Sequence, residues 1–171
     1  MEDEGIFPSA NLAINWAVRR VNTPILEQSN IHDLVRKYRS YDPLPEMSQW
    51  EKLAEAATII KVMGRACTHS ELFILAVYYS GGTDEQINAL SNHIAKNLGR
   101  DRWFVKDQVM SWARERPRHT ESWWGKKYGV DDRTIQRWRH DITKYLDNIF
   151  KTAFTKAENA LWESGHVGHV Y

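Results

Sequence analysis

Gln136 and Arg137 stand side by side in the run DRTIQRWRH, Asp132–His140. A glutamine amide can pair bidentately with the edge of adenine, and a guanidinium with the edge of guanine. If this run is helical, Ile135 and Trp138 fall on a packing face. Asp132, Arg133, Gln136, Arg137 and His140 are left on the outside as candidate base-contacting residues. Lys126, Lys127, Thr134 and Arg139 bring the ammonium, hydroxyl and guanidinium groups that suit phosphate oxygens. The competing reading is a helical hairpin with a solvated, charged face.

The residues around this run provide the means to position it. The stretch TESWWGKKYGVDDRTIQRWRHD, Thr120–Asp141, reads as two helices joined by a tight turn, the first over about 121–128. Gly129 supplies the positive φ that the turn needs. Asp131 or Asp132 caps the second helix. Trp124, Tyr128, Val130, Ile135 and Trp138 are the apolar positions that must pack together, and Gly125 is small where the chain crosses itself closely. This stretch resembles the helix-turn-helix DNA-binding family. The resemblance implies that the outward residues at the start of the second helix enter the major groove. It also implies that Lys126, Lys127, Thr134 and Arg139 lie nearer phosphates.

Charge is distributed accordingly. Residues 96–151 hold fourteen Lys or Arg against eight Asp or Glu, a net of +6; the remainder holds nine against fourteen, −5, which together give the chain its +1. The basic segment localises phosphate contact, and the acidic remainder points to protein or solvent. The 171 residues suffice for one domain or two small ones, and an apolar content of 42% supports a core. The single cysteine, Cys67, allows no internal disulfide and fits a reducing cytoplasm. No apolar run is long enough for a membrane span, and the acidic MEDEGIF start is unlike a signal peptide.

Along the chain the expectation is all-α. Residues 1–8 read as a loose acidic lead, followed by helices over about 9–21 and 31–38 and a stiff linker at 41–45. Three capping-box patterns, at Ser48–Glu51, Thr68–Glu71 and Thr83–Gln86, open the next three helices. ELFILAVYY, Glu71–Tyr79, has the composition of a buried strand, but its position after a capping box favours a buried helix. Gly81-Gly82 and Gly99 are stops. A helix over 102–116 directs Phe104, Val105, Val109, Trp112 and Ala113 to a core and is stopped by Pro117. From Asp131 nothing interrupts a helix until Gly165, with Ile135, Trp138, Ile142, Tyr145, Ile149, Ala153, Ala157 and Leu161 at helical spacing. Its far half either packs back on the N-terminal helices or forms a homodimer interface. The expected organisation is an N-terminal helical region over 1–99, a helix-turn-helix region with an extended final helix over 100–164, and a disordered tail over 165–171.

Other chemistry finds little support. His166 and His169 have H-x-x-H spacing without a carboxylate or cysteine partner, and Cys67-Thr68-His69 is too short a cluster to hold a metal. Of the pair Asp131-Asp132, one is needed as a cap. There is no phosphate-binding glycine loop. Neither a cofactor nor catalysis is expected.

The leading expectation is a cytoplasmic, sequence-specific, double-stranded DNA-binding transcription regulator of bacterial or phage type. The segment from Ser70 to Asn97, with ELFILAVYYSGG, is similar to sigma-factor region 4 and to phage Q antiterminators, although it lacks a turn and recognition helix of its own. That similarity implies late-gene antitermination with RNA polymerase as a partner. The alternatives are a protein like the phage small terminase subunits, which join a helix-turn-helix to an oligomerising region, and a helical protein-interaction adaptor.

Overall fold

A computed structural model of the chain describes residues 5–22, 44, 46–114 and 118–168. The helix expected over 31–38, the linker at 41–45 apart from Leu44, the stop at Pro117 and the second histidine of H-x-x-H, His169, lie outside the described residues. The fold is all-α. The helices are α1 (Ala10–Asn22), α2 (Gln49–Ala66), α3 (His69–Ser80), α4 (Asp84–Leu98), α5 (Arg102–Arg114), α6 (Glu121–Tyr128) and α7 (Asp132–Glu163).

Local chemistry sets most of their ends. At α2 the Ser48 hydroxyl accepts from the Glu51 amide at 3.3 Å while the Glu51 carboxylate accepts from the Ser48 amide at 2.7 Å. These bonds hold the Glu51 carboxyl below its ordinary value. The same reciprocal box opens α4 through Thr83 and Gln86. Gly99 closes α4 in the left-handed conformation at φ 61°, sending its amide back to the Ala95 carbonyl. ELFILAVYY is helical, as expected from its position, with Ile74, Leu75, Ala76, Val77 and Tyr79 all buried.

The chain divides into two compact units, residues 1–68 with 154–171, and residues 69–153. The expected boundary near residue 99 falls inside the second unit. In the first unit α1 packs on α2, burying Ala13, Ile14 and Ala17 with Ala56, Ile59 and Met63. The two chain ends are more ordered than the sequence suggests. The Phe7 amide donates to the His166 carbonyl at 3.0 Å and the Gly168 amide donates to the Phe7 carbonyl at 3.1 Å, an isolated parallel bridge. Phe7 and Val167 are both buried. The loose lead and disordered tail are thereby corrected for residues 5–8 and 165–168. Two apolar side chains far apart in sequence gain from each other what neither has locally.

In the second unit α4 packs against both α3 and α5. Phe150 of α7 lies 4.3 Å from Tyr78 of α3 and 6.1 Å from Trp112 of α5, measured between ring centroids. Trp112 is half-buried rather than in the core, because its indole N–H reaches Asp147 at 3.0 Å. Helix α7 is unbroken for 32 residues, about 48 Å at 1.5 Å per residue. Residues 132–153 belong to the second unit and 154–163 group with the N-terminal helices. Among the described residues, no helix is long and apolar enough to cross a membrane.

Candidate nucleic-acid interface

The candidate interface residues lie on the α5–α6–α7 corner. The Thr120 hydroxyl caps α6 by accepting from the Trp123 amide at 3.2 Å. Gly129 ends α6 at φ 66° and ψ 35°, and Val130 then donates to the Gly125 carbonyl at 3.0 Å. Gly125 is buried, and a Cβ there would stand 2.8 Å from the Val130 carbonyl oxygen. A side chain at that position would push the turn away from α6. The choice left open between the two aspartates is settled by geometry: the Asp131 carboxylate accepts from the Thr134 amide at 2.8 Å, and α7 begins one residue later.

Aromatic packing fixes the angle between the helices. Phe104 of α5 meets Trp124 edge-on at 5.1 Å, Tyr128 at 6.2 Å and Trp138 at 5.9 Å. Trp124 and Tyr128 stack at 5.6 Å with rings 7° from parallel. Trp124 is 2% exposed, and its indole N–H donates to the buried Asp107 carboxylate at 3.0 Å. The other Asp107 oxygen accepts from the Arg118 amide at 3.3 Å. Tyr128 donates to Asp101, and burial first, then that bond, pushes its hydroxyl well above the ordinary tyrosine value. Trp138 is half-buried, not enclosed as expected, with the Arg100 guanidinium 4.6 Å from its ring centre.

All five outward residues, Asp132, Arg133, Gln136, Arg137 and His140, are exposed. At 100° per residue they occupy an arc of about 140° on α7. Arg133, Gln136, Arg137 and His140 line one shallow depression of about 300 Å³, together with Asp141. Gln136 is not idle: its amide donates to Glu121 at 2.9 Å, and Arg137 donates to the Thr134 hydroxyl at 3.2 Å.

Two residues expected near phosphates are placed differently. Arg139 turns toward α6, donating to the His119 carbonyl at 2.7 Å and pairing with Glu121 at 3.3 Å. Its guanidinium therefore braces α7 against α6. Thr134 is half-buried, and its hydroxyl is already engaged by Arg137. Lys126 and Lys127 are exposed.

Hydrogen bonds from Thr134, side chain first and amide second, hold the Asp131 carboxyl below its ordinary value. A lowered folded-state pKa contributes stability above the unfolded value, near pH 4, which is lost as pH falls through the folded value. Thermal unfolding of the wild type should therefore fall more steeply below about pH 4 than that of Asp131→Asn, which keeps a capping oxygen but cannot titrate. Parallel profiles would show that the cap bond does not couple to folding.

A second arrangement escaped sequence reasoning. His166 lies between Ser164, Oγ to Nδ1 at 2.7 Å, and Glu55, Nε2 to Oε1 at 3.4 Å. The order is that of a nucleophile, base and carboxylate. The single Ser164 hydroxyl proton also has a second acceptor within reach, the Leu161 carbonyl at 3.1 Å. The trio fastens the C-terminal segment to α2. Comparisons of the chain with protein-family models, with curated proteins and with solved structures found no match.

Proposed function

We propose that the chain is a sequence-specific, double-stranded DNA-binding transcription regulator in which the first three turns of α7 read the major groove. The observation that carries this reading is the exposed arc of Arg133, Gln136, Arg137 and His140, on a helix whose start is fixed by the Gly129 turn and by the packing of Phe104. A major groove about 12 Å wide admits one helix, and the residue types on the arc are those that pair with base edges. The net +6 of residues 96–151 adds an attraction for phosphate that does not depend on sequence.

Selection from random duplex DNA with the full-length protein should enrich one short site. The logarithm of affinity for that site should fall linearly with the logarithm of salt concentration. Lys126→Ala and Lys127→Ala should each weaken binding to all sequences alike and reduce the salt slope by about 1. Selection that enriches nothing, with no salt-dependent affinity for any duplex, would leave the charged face of α7 as solvated surface.

A finer version of the reading is an antiterminator that engages RNA polymerase, supported by the −5 carried outside residues 96–151. On a template bearing the selected site, the full-length protein should increase transcription past a terminator. Unchanged read-through would remove this version and leave DNA binding intact.

A further inference from the structure

We propose that Trp103 and Trp123 form a second nucleic-acid site, one that stacks unpaired bases of a single strand whose phosphates are held by Lys106, Arg118 and Lys127. This site is separate from the duplex-reading arc of α7 and does not depend on it.

The two tryptophans come from different helices, α5 and α6, and line one depression of about 150 Å³. They are 57% and 42% exposed, so about half of each indole's burial energy is left unused. The neighbouring tryptophans of this corner have structural work: Trp124 fills the core and Trp138 packs on Phe104 and Tyr128. Trp103 and Trp123 instead present ring surface to solvent.

The chemistry around them selects the ligand. The His119 imidazole covers one face of Trp123 at 3.9 Å, 11° from parallel, and the indole is still 42% exposed. Lys127 Nζ lies 5.3 Å from the Trp123 ring, and Lys106 and Arg118 line the same depression. Its carboxylate, Asp107, is 5% exposed and accepts from Trp124 and Arg118 with its two oxygens. The rim is therefore cationic around exposed π-faces. Single-stranded nucleic acid matches both features, since every base has a π-face and every linkage a negative charge. Duplex DNA hides its base faces in the stack. An acidic peptide satisfies the cations but makes no use of the rings.

Helix geometry keeps the stacking rings apart from the α7 arc, and Lys127 is the one phosphate contact that the two sites share. Glu121 reaches across to Gln136 and Arg139 of α7. Trp123, two residues on, lies about 200° around α6, and Lys127, one turn later, shares the Trp123 face.

The test uses full-length protein and end-labelled oligonucleotides read by fluorescence anisotropy: oligo(dT), oligo(U), an abasic DNA of equal length, and a duplex. Trp103→Ala and Trp123→Ala should each weaken single-strand binding by about 5- to 150-fold and leave duplex binding unchanged. The abasic strand should bind the wild type more weakly than oligo(dT) by a comparable factor. The stronger of oligo(dT) and oligo(U) identifies DNA or RNA as the source of the strand. If Trp123→Ala lowers the melting temperature, Trp123→Phe and Trp123→Leu decide: retained binding with Phe and loss with Leu supports stacking, whereas equal loss overturns it. The proposal is also overturned if the abasic strand binds as well as oligo(dT), or if poly-glutamate displaces oligo(dT) at equal charge concentration, which would mark a protein-docking patch. Duplex selection is read separately, so either site can fail alone.

Discussion

Trp124→Ala will cost about 3–5 kcal/mol of stability and will remove duplex binding with it. Trp124 is 2% exposed and packs against Phe104 and Tyr128 in the α5–α6–α7 corner. Truncation leaves a cavity the size of an indole where three helices meet. It also removes the N–H that the buried Asp107 carboxylate accepts. Trp124→Phe separates the two effects: it keeps most of the ring and leaves a buried oxygen short of a donor, for which about 1–3 kcal/mol is expected. The adjacent Trp123→Ala, 42% exposed, should change stability by less than about 1 kcal/mol. Chemical denaturation of the three variants at matched pH measures these differences. If Trp124→Ala costs no more than Trp123→Ala, the corner is not held by its aromatic cluster.

That corner was legible in the sequence because its determinants are local. A helix over 121–128, a glycine at positive φ and an aspartate cap occupy a dozen consecutive residues, and each constrains its neighbours through bonds three or four positions long. The same holds for the capping boxes at Ser48 and Thr83. Periodicity also placed Ile135, Ile142, Ala153, Ala157 and Leu161 inward on α7, although it overlooked Leu146, which is buried while Tyr145 is only half so. What the sequence could not convey depends on partners far along the chain. Asp107 reads as one more charge on α5 until Trp124, seventeen residues on, is folded against it. Arg139 looks like an outward cation by type, yet the His119 carbonyl and Glu121 turn it inward. Phe7 and Val167 become core residues only by meeting each other. The Trp123-Trp124 doublet was the one available signal for the aromatic patch. Neighbours on a helix diverge by about 100°, so one narrow buried stripe does not enclose both rings.

The outward arc yields the second large effect. Arg137→Ala should weaken binding to the selected duplex by about 1–3 kcal/mol and relax base choice at one position, as should Gln136→Ala. Binding to unrelated duplexes should change less, since only a phosphate contact weakens all sequences equally. Arg139→Ala should behave differently although it also removes a guanidinium. Its side chain is 18% exposed and braced on α6, so its loss should lower the melting temperature and leave the preferred sequence unaltered. Glu121 connects the two groups, because it accepts from Gln136 and pairs with Arg139. A base edge that recruits Gln136 must compete with that carboxylate. Glu121→Gln weakens the competition while keeping the side chain's length and an acceptor. It should therefore tighten binding to the selected site, at some cost in stability through Arg139. Affinities of the four variants on the selected and on a scrambled duplex, alongside their melting temperatures, distinguish these roles. If Arg137→Ala and Gln136→Ala lose affinity for both duplexes by the same factor, α7 contacts the backbone alone and does not read the sequence.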